Sequence, residues 1–223
     1  MERHLHIEIK ALIQDLVKMA GMVELSIKKA IRSLTERDGS LAREVIEEDK
    51  LIDELEIEVD NQCMSILARH QPVAVDLRLL IASIKMNNDL ERMGDHAVNI
   101  AEKAQLLIAV SPLKPLIDIP RMANLVQNMV RDSLDAFVNR DVLLARAVCE
   151  SDDTVDELEN QINRELLTYT IEDPKNIQRA MDLSMIAKNL ERIADLSTNI
   201  CEEVIFLVEA RTIRHRCEEL GDG

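Results

Sequence analysis

The sequence predicts an all-α protein made of two tandem three-helix bundles related by internal duplication. Three observations carry this reading. Only five Gly and five Pro occur in 223 residues and aromatic content is 1%, so the apolar share falls to Leu, Ile, Val, Ala and Met, which favour helix over sheet. The few breakers fall at intervals that leave long uninterrupted helical patterns. The two halves of the chain also carry the same polar residues at the same spacing.

Cutting at Asp38-Gly39, Gln71-Pro72, Ser111-Pro112-Leu113-Lys114-Pro115, Pro120 and Asp173-Pro174 leaves six segments, roughly 4–37, 40–70, 75–109, 120–140, 142–170 and 175–212. Most exceed the average globular helix of about a dozen residues, so they are expected to lie side by side as a bundle with short turns. The Pro-rich stretch 111–120 divides the chain near its middle, giving a first unit over 1–112 and a second over 113–223.

The third segment ends in Leu90-Glu91-Arg92-x-x-Asp95-x-x-x-Asn99-Ile100-x-Glu102, which recurs as Leu190-Glu191-Arg192-x-x-Asp195-x-x-x-Asn199-Ile200-x-Glu202. Earlier, Arg37-Asp38, Leu41-Ala42-Arg43 and Asp49-x-x-x-Asp53-Glu54-Leu55-Glu56 recur as Arg140-Asp141, Leu144-Ala145-Arg146 and Asp152-x-x-x-Asp156-Glu157-Leu158-Glu159. In the fifteen-residue windows starting at 89 and 189, seven positions are identical and five of those are polar. A merely solvated face has no reason to keep its side chains through duplication while core positions such as Met93 and Ile193 drift.

The formal charge of −15, from 42 acidic and 27 basic residues without a basic stripe, disfavours nucleic acid as a partner. Cations, or proteins with basic patches, suit such a surface better. Cys63, Cys149, Cys201 and Cys217 show no C-x-x-C spacing and read as small buried hydrophobes in a reducing compartment. The first twenty residues lack the apolar core of a secretory signal, and the longest apolar runs fall short of the ~20 residues that span a bilayer. A soluble cytoplasmic protein is expected.

At about 100° per residue, Glu91, Asp95 and Asn99 share one face of the third helix, opposite Leu79, Met86, Leu90, Met93, Ala97 and Ile100. Asp49 and Asp53 form a similar ladder on the second helix, with Leu51, Leu55 and Ile66 pointing away. If the two helices are antiparallel about a turn near Val73, Asp53 faces Met93 and Asp49 faces Ala97. Asp49, Asp53, Glu91 and Asp95 then stand at one height, and the same construction brings Asp152, Asp156, Glu191 and Asp195 together. Converging carboxylates repel unless neutralised, and clusters of hard oxygen ligands suit Mg, Ca, Mn or Fe. Asn99 and Asn199 offer neutral oxygens beside them. The competing explanation is a pair of acidic faces answered by Arg92, Arg192 and lysines. No Glu-x-x-His pair of the ferritin-like kind occurs, and nothing pairs a nucleophile with an adjacent base, so no catalytic residue is assigned.

The motifs Asp49-x-x-x-Asp53, Glu91-x-x-x-Asp95, Asp152-x-x-x-Asp156 and Glu191-x-x-x-Asp195, together with Asn88-Asp89-Leu90-Glu91-Arg92-Met93-Gly94-Asp95-His96, resemble the PhoU family of phosphate-signalling regulators over nearly the whole chain. The resemblance implies a cytoplasmic, non-enzymatic accessory protein of the phosphate ABC transporter. Its partners would be the transporter's ATPase subunit and a sensor histidine kinase, and it would repress the phosphate-starvation response. It further implies a homodimer, peripheral to the membrane only through partners. Divalent or trivalent metal ions, iron first and manganese, magnesium or zinc as alternatives, would sit at Asp49, Asp53, Glu91, Asp95 and Asn99 and at Asp152, Asp156, Glu191, Asp195 and Asn199. Asp60 becomes Asn163 and Asn88 becomes Lys188 in the second unit, so its site carries less negative charge. The alternative function is a carboxylate-bridged metal enzyme or a metal-storage protein.

Overall fold

The structure is a computed structural model that describes residues 2–211. Its helices are α1 (Glu2–Glu36), α2 (Gly39–His70), α3 (Ala74–Ile108), α4 (Asp118–Asn139), α5 (Val142–Glu172) and α6 (Ile177–Glu209), the last preceded by a 3-10 turn over Pro174–Asn176. Among the described residues there is no strand.

The repeated Arg-Asp pair is a turn with a physical cause. Arg37 and Arg140 adopt the left-handed conformation (φ 54° and 56°) that closes α1 and α4. The amides of Asp38 and Asp141 then donate back five residues, to the carbonyls of Ser33 and Ala136, both at 2.9 Å. Each aspartate next caps the following helix: the Asp38 carboxylate accepts from the Ser40 amide at 2.8 Å, and that of Asp141 from the Leu144 amide at 3.0 Å. One dipeptide thus stops one helix and starts another. Arg37 also uses its guanidinium, which donates to the carbonyls of Ile108 (2.6 Å) and Val110 (2.7 Å) at the end of α3.

Within each unit the three helices pack mutually, and the units meet where α3 lies on α6 and α1 on α4. Contacts from Lys85 to Glu203, His96 to Asn189 and Lys103 to Asp182 run in opposite order along α3 and α6, which are therefore antiparallel. One continuous apolar core runs through both units. The stripe Leu79, Met86, Leu90, Met93, Ala97 and Ile100 is buried as expected.

Two expectations are corrected. Leu51, placed on the core side of α2, is 45% exposed, because the buried stripe is centred on Ile52, Leu55 and Val59. Cys63 and Cys201 are buried free thiols, but Cys149 is disulfide-bonded, which the absence of a C-x-x-C spacing did not exclude. Cys217 lies outside the described residues. Among the described residues, no helix is long and apolar enough to cross a membrane.

Candidate functional site

The two carboxylate ladders meet across the α2/α3 hairpin. A Cβ built on Gly94 would stand 3.2 Å from Asp49 Oδ1, so Asp49 approaches α3 within one helical turn of the expected level. Further along, buried Asn87 donates to the Glu56 carbonyl (2.9 Å) and to Asp60 Oδ1 (3.1 Å), which fixes the register of the pair. Helical spacing assigns no role to Gly94 or Asn87, although Met-Gly-Asp at 93–95 against Ile-Ala-Asp at 193–195 marks the glycine as a difference between the repeats.

The electrostatics show that the four side chains feel one another. Burial first, then the charges of Asp53 and Asp95, pushes the Asp49 carboxyl up to about 6. Glu91 is raised by burial and then by Asp95, Asp53, Glu56 and Asp49. Each of these neighbours is negative, and among the described residues no cation forms an ion pair with Asp49, Asp53, Glu91 or Asp95. Arg92, next to Glu91, turns to Asp89 at 3.7 Å. Asn99 lies exposed on the same face, one turn beyond Asp95.

The second quartet has the same plan with a different balance. Asp152 is pushed up to about 7 by burial and then by Asp195, Asp156 and Glu191, and its Oδ1 is buried without a hydrogen-bond partner. Two cations stand beside this quartet. Lys188 lies 2.8 Å from Glu191, and Arg192 lies 3.2 Å from Asp195. The register is again set by a polar contact, here half-buried, with Ser184 donating to Asn163 Oδ1 at 2.6 Å. A cleft of about 430 Å³ brings Asp152, Asp195 and Asn199 together with Arg92, His96 and Arg192. His96 bonds Asn189 at 2.9 Å across the α3/α6 contact, so it belongs to the joint between the units.

The donor set fits hard cations: eight carboxylates in two groups, two of them titrating far above the usual range and one with an orphaned buried oxygen. Among the described residues, no three His, Cys, Asp or Glu side chains stand close enough, as placed, to share one ion, so ligation requires side-chain rotation toward a common point.

A family model described as the PhoU domain matches twice, over residues 16–104 and 119–204. The chain belongs to the PhoU family. A curated PhoU relative from Aquifex aeolicus, named phosphate-specific transport system accessory protein PhoU homolog, is 46% identical over 209 residues, covering 94% of this chain and 95% of its own length. The crystal structure of PhoU from Pseudomonas aeruginosa superposes with a TM-score of 0.89 at 39% identity, covering 92% of this chain and 99% of that one. The phosphate transport system regulatory protein PhoU from Streptococcus pneumoniae gives 0.86 at 26% identity, over 94% and 99%. The paired quartets fall within the two matched PhoU segments, one in each.

Proposed function

We propose that this PhoU-family chain is a non-enzymatic regulator of phosphate uptake and signalling, built as two repeats joined at 112/113, that holds metal ions on its two carboxylate quartets. The observation that carries the metal part is the convergence of Asp49, Asp53, Glu91 and Asp95, which among the described residues form no ion pair with a cation; Asp152, Asp156, Glu191 and Asp195 repeat the convergence, partly answered by Lys188 and Arg192. Bound divalent or trivalent cations would supply the missing positive charge, with Asn99 and Asn199 as neutral donors. Iron is the first expectation and manganese, magnesium or zinc follow.

The regulatory part is supported by family membership and by the names of the relatives, which place them with a phosphate transport system. An acidic chain without a basic stripe reaches transcription through a protein intermediary. That intermediary is a cytoplasmic-facing sensor histidine kinase, and the transporter's ATPase subunit reports phosphate status, with a homodimer of this chain between them. To repress, the protein must bind one kinase state better than the other, since only a difference in affinity shifts an equilibrium. The test is reporter expression from phosphate-starvation genes at high phosphate. Deleting this protein is expected to leave them on, and deleting the kinase as well is expected to turn them off. Persistent expression in the double deletion overturns the adaptor reading and favours a metabolic role, as metal enzyme or store.

A further inference from the structure

Away from the quartets, α1 and α2 enclose two grooves of about 620 and 410 Å³. Both are lined by Glu54 and Glu58, so they form one trough. On α2 it runs from Glu48 to Arg69, about 30 Å at 1.5 Å per residue. Its apolar side chains include Leu25, Leu51 and Ile57, which are 49%, 45% and 57% exposed.

The duplication supplies an internal control on whether the fold needs them. With an offset of 103, buried Met19, Ala20 and Val23 of α1 are matched by buried Met122, Ala123 and Val126 of α4. The same offset matches Leu25, Leu51 and Ile57 with Asn128, Thr154 and Asn160. The second unit forms a matching three-helix bundle, its α4 beginning at the level of Asp15 of α1, with polar residues at these places, so the exposed apolar side chains of the first unit are not required for packing α1 on α2.

Charge says what covers it. At the ends of the trough the acids are answered, Glu8 by Arg69 at 2.9 Å and Glu48 by Lys29 at 2.7 Å. In the middle, Glu54 and Glu58 stand one turn apart on α2, and among the described residues neither forms an ion pair. Such a like-charged pair is unfavourable by itself. Lys18 of α1 lines the same groove without pairing to either, so two apolar patches with a net negative centre complement a helix whose apolar stripe is flanked by Lys or Arg at its midpoint. A second copy of this chain is a poor occupant, since a two-fold contact would press Glu54 and Glu58 of both copies into one interface.

We propose that the α1/α2 trough is the docking site for a basic amphipathic helix of a partner protein, about 20 residues long. The proposal does not depend on metal binding, because none of these residues belongs to a quartet.

The test is fluorescence anisotropy with a labelled 20-residue peptide of Leu and Lys in i, i+3, i+4, i+7 order, alongside a scrambled peptide of the same composition. One ordered peptide per chain is expected to bind, about tenfold tighter than the scrambled one. Leu25→Asn/Leu51→Thr/Ile57→Asn, which installs the second unit's residues, is expected to weaken binding about tenfold with an unchanged helical spectrum. Glu54→Gln/Glu58→Gln is expected to weaken it severalfold and flatten its salt dependence. Equal binding by wild type and the triple variant, or by ordered and scrambled peptides, overturns the proposal. So does a wild-type dimer that the triple variant converts to monomer in sedimentation, which would give the trough to a second copy.

Discussion

Asp49 reaches across the hairpin to the bare backbone of Gly94, its Oδ1 3.2 Å from where a Cβ would begin. In the second unit Ala194 occupies the matching position. Gly94→Ala therefore displaces Asp49, and with it Ile52, whose Cδ1 stands at the same 3.2 Å. Ala gains about 1 kcal/mol of helix propensity over Gly, which offsets that shift. The melting temperature is expected to change little while metal retained at the first quartet falls. Full retention with an unaltered Asp49 would show that the close approach has no bearing on the site.

Stability of the metal-free protein should fall as pH rises. Asp49 and Asp152 have folded-state values of about 6 and about 7, above the ordinary value of 3.8. The folded chain therefore holds more protons than the unfolded chain between pH ~4 and ~7, and stabilisation present below that window is lost through it. Chelated protein is expected to melt at a lower temperature at pH 8 than at pH 5.5. The opposite order would mean that these carboxyls are ionised and favourably paired when folded.

The two sites should differ in affinity through Lys188, whose counterpart is Asn88. Lys188 contacts Glu191 at 2.8 Å and competes with any bound cation. Lys188→Asn is expected to tighten divalent binding at the second site about threefold, the size of one partly screened charge. Isothermal titration at low and high salt checks this, and an effect that survives high salt undiminished would point to a steric cause.

Much of this arrangement was legible beforehand because helix periodicity and an internal repeat are local signals. The six helices, the buried stripe from Leu79 to Ile100 and the height at which Asp49 meets α3 follow from spacing and the position of one turn. Leu51 differs from expectation because the periodicity of one helix does not say which neighbour comes near, and α2 turns Ile52 inward instead. Contacts between the units were invisible for the same reason. Lys85 with Glu203 and His96 with Asn189 join residues about a hundred positions apart, and no local pattern encodes them. Lys188 and Arg192 could be read as neighbours of the second quartet, but spacing alone does not say that Arg92, with acids on both sides of it along α3, turns to Asp89 three residues back.

Arg37 should matter for the fold more than its surface position suggests. Its guanidinium satisfies the carbonyls of Ile108 and Val110 while its backbone holds a left-handed turn. Arg37→Ala loses the contacts and keeps the strain, and is expected to cost about 1–2 kcal/mol. Arg37→Gly relieves the strain and should cost less. Urea denaturation of the two variants separates the contributions, and equal losses would assign no role to the backbone conformation.

Metal content tests the paired carboxylates most directly. Wild-type protein reconstituted with iron or manganese and freed of loose ions should retain metal when assayed by mass spectrometry of the elements. Glu91→Ala/Asp95→Ala should lose about half, leaving the second quartet filled, and adding Asp152→Ala/Asp156→Ala/Glu191→Ala/Asp195→Ala should remove the remainder without lowering the melting temperature of the metal-free chain. Unchanged stoichiometry in the double variant, or a wild type that retains no ion, would contradict the reading of the paired carboxylates as cation sites.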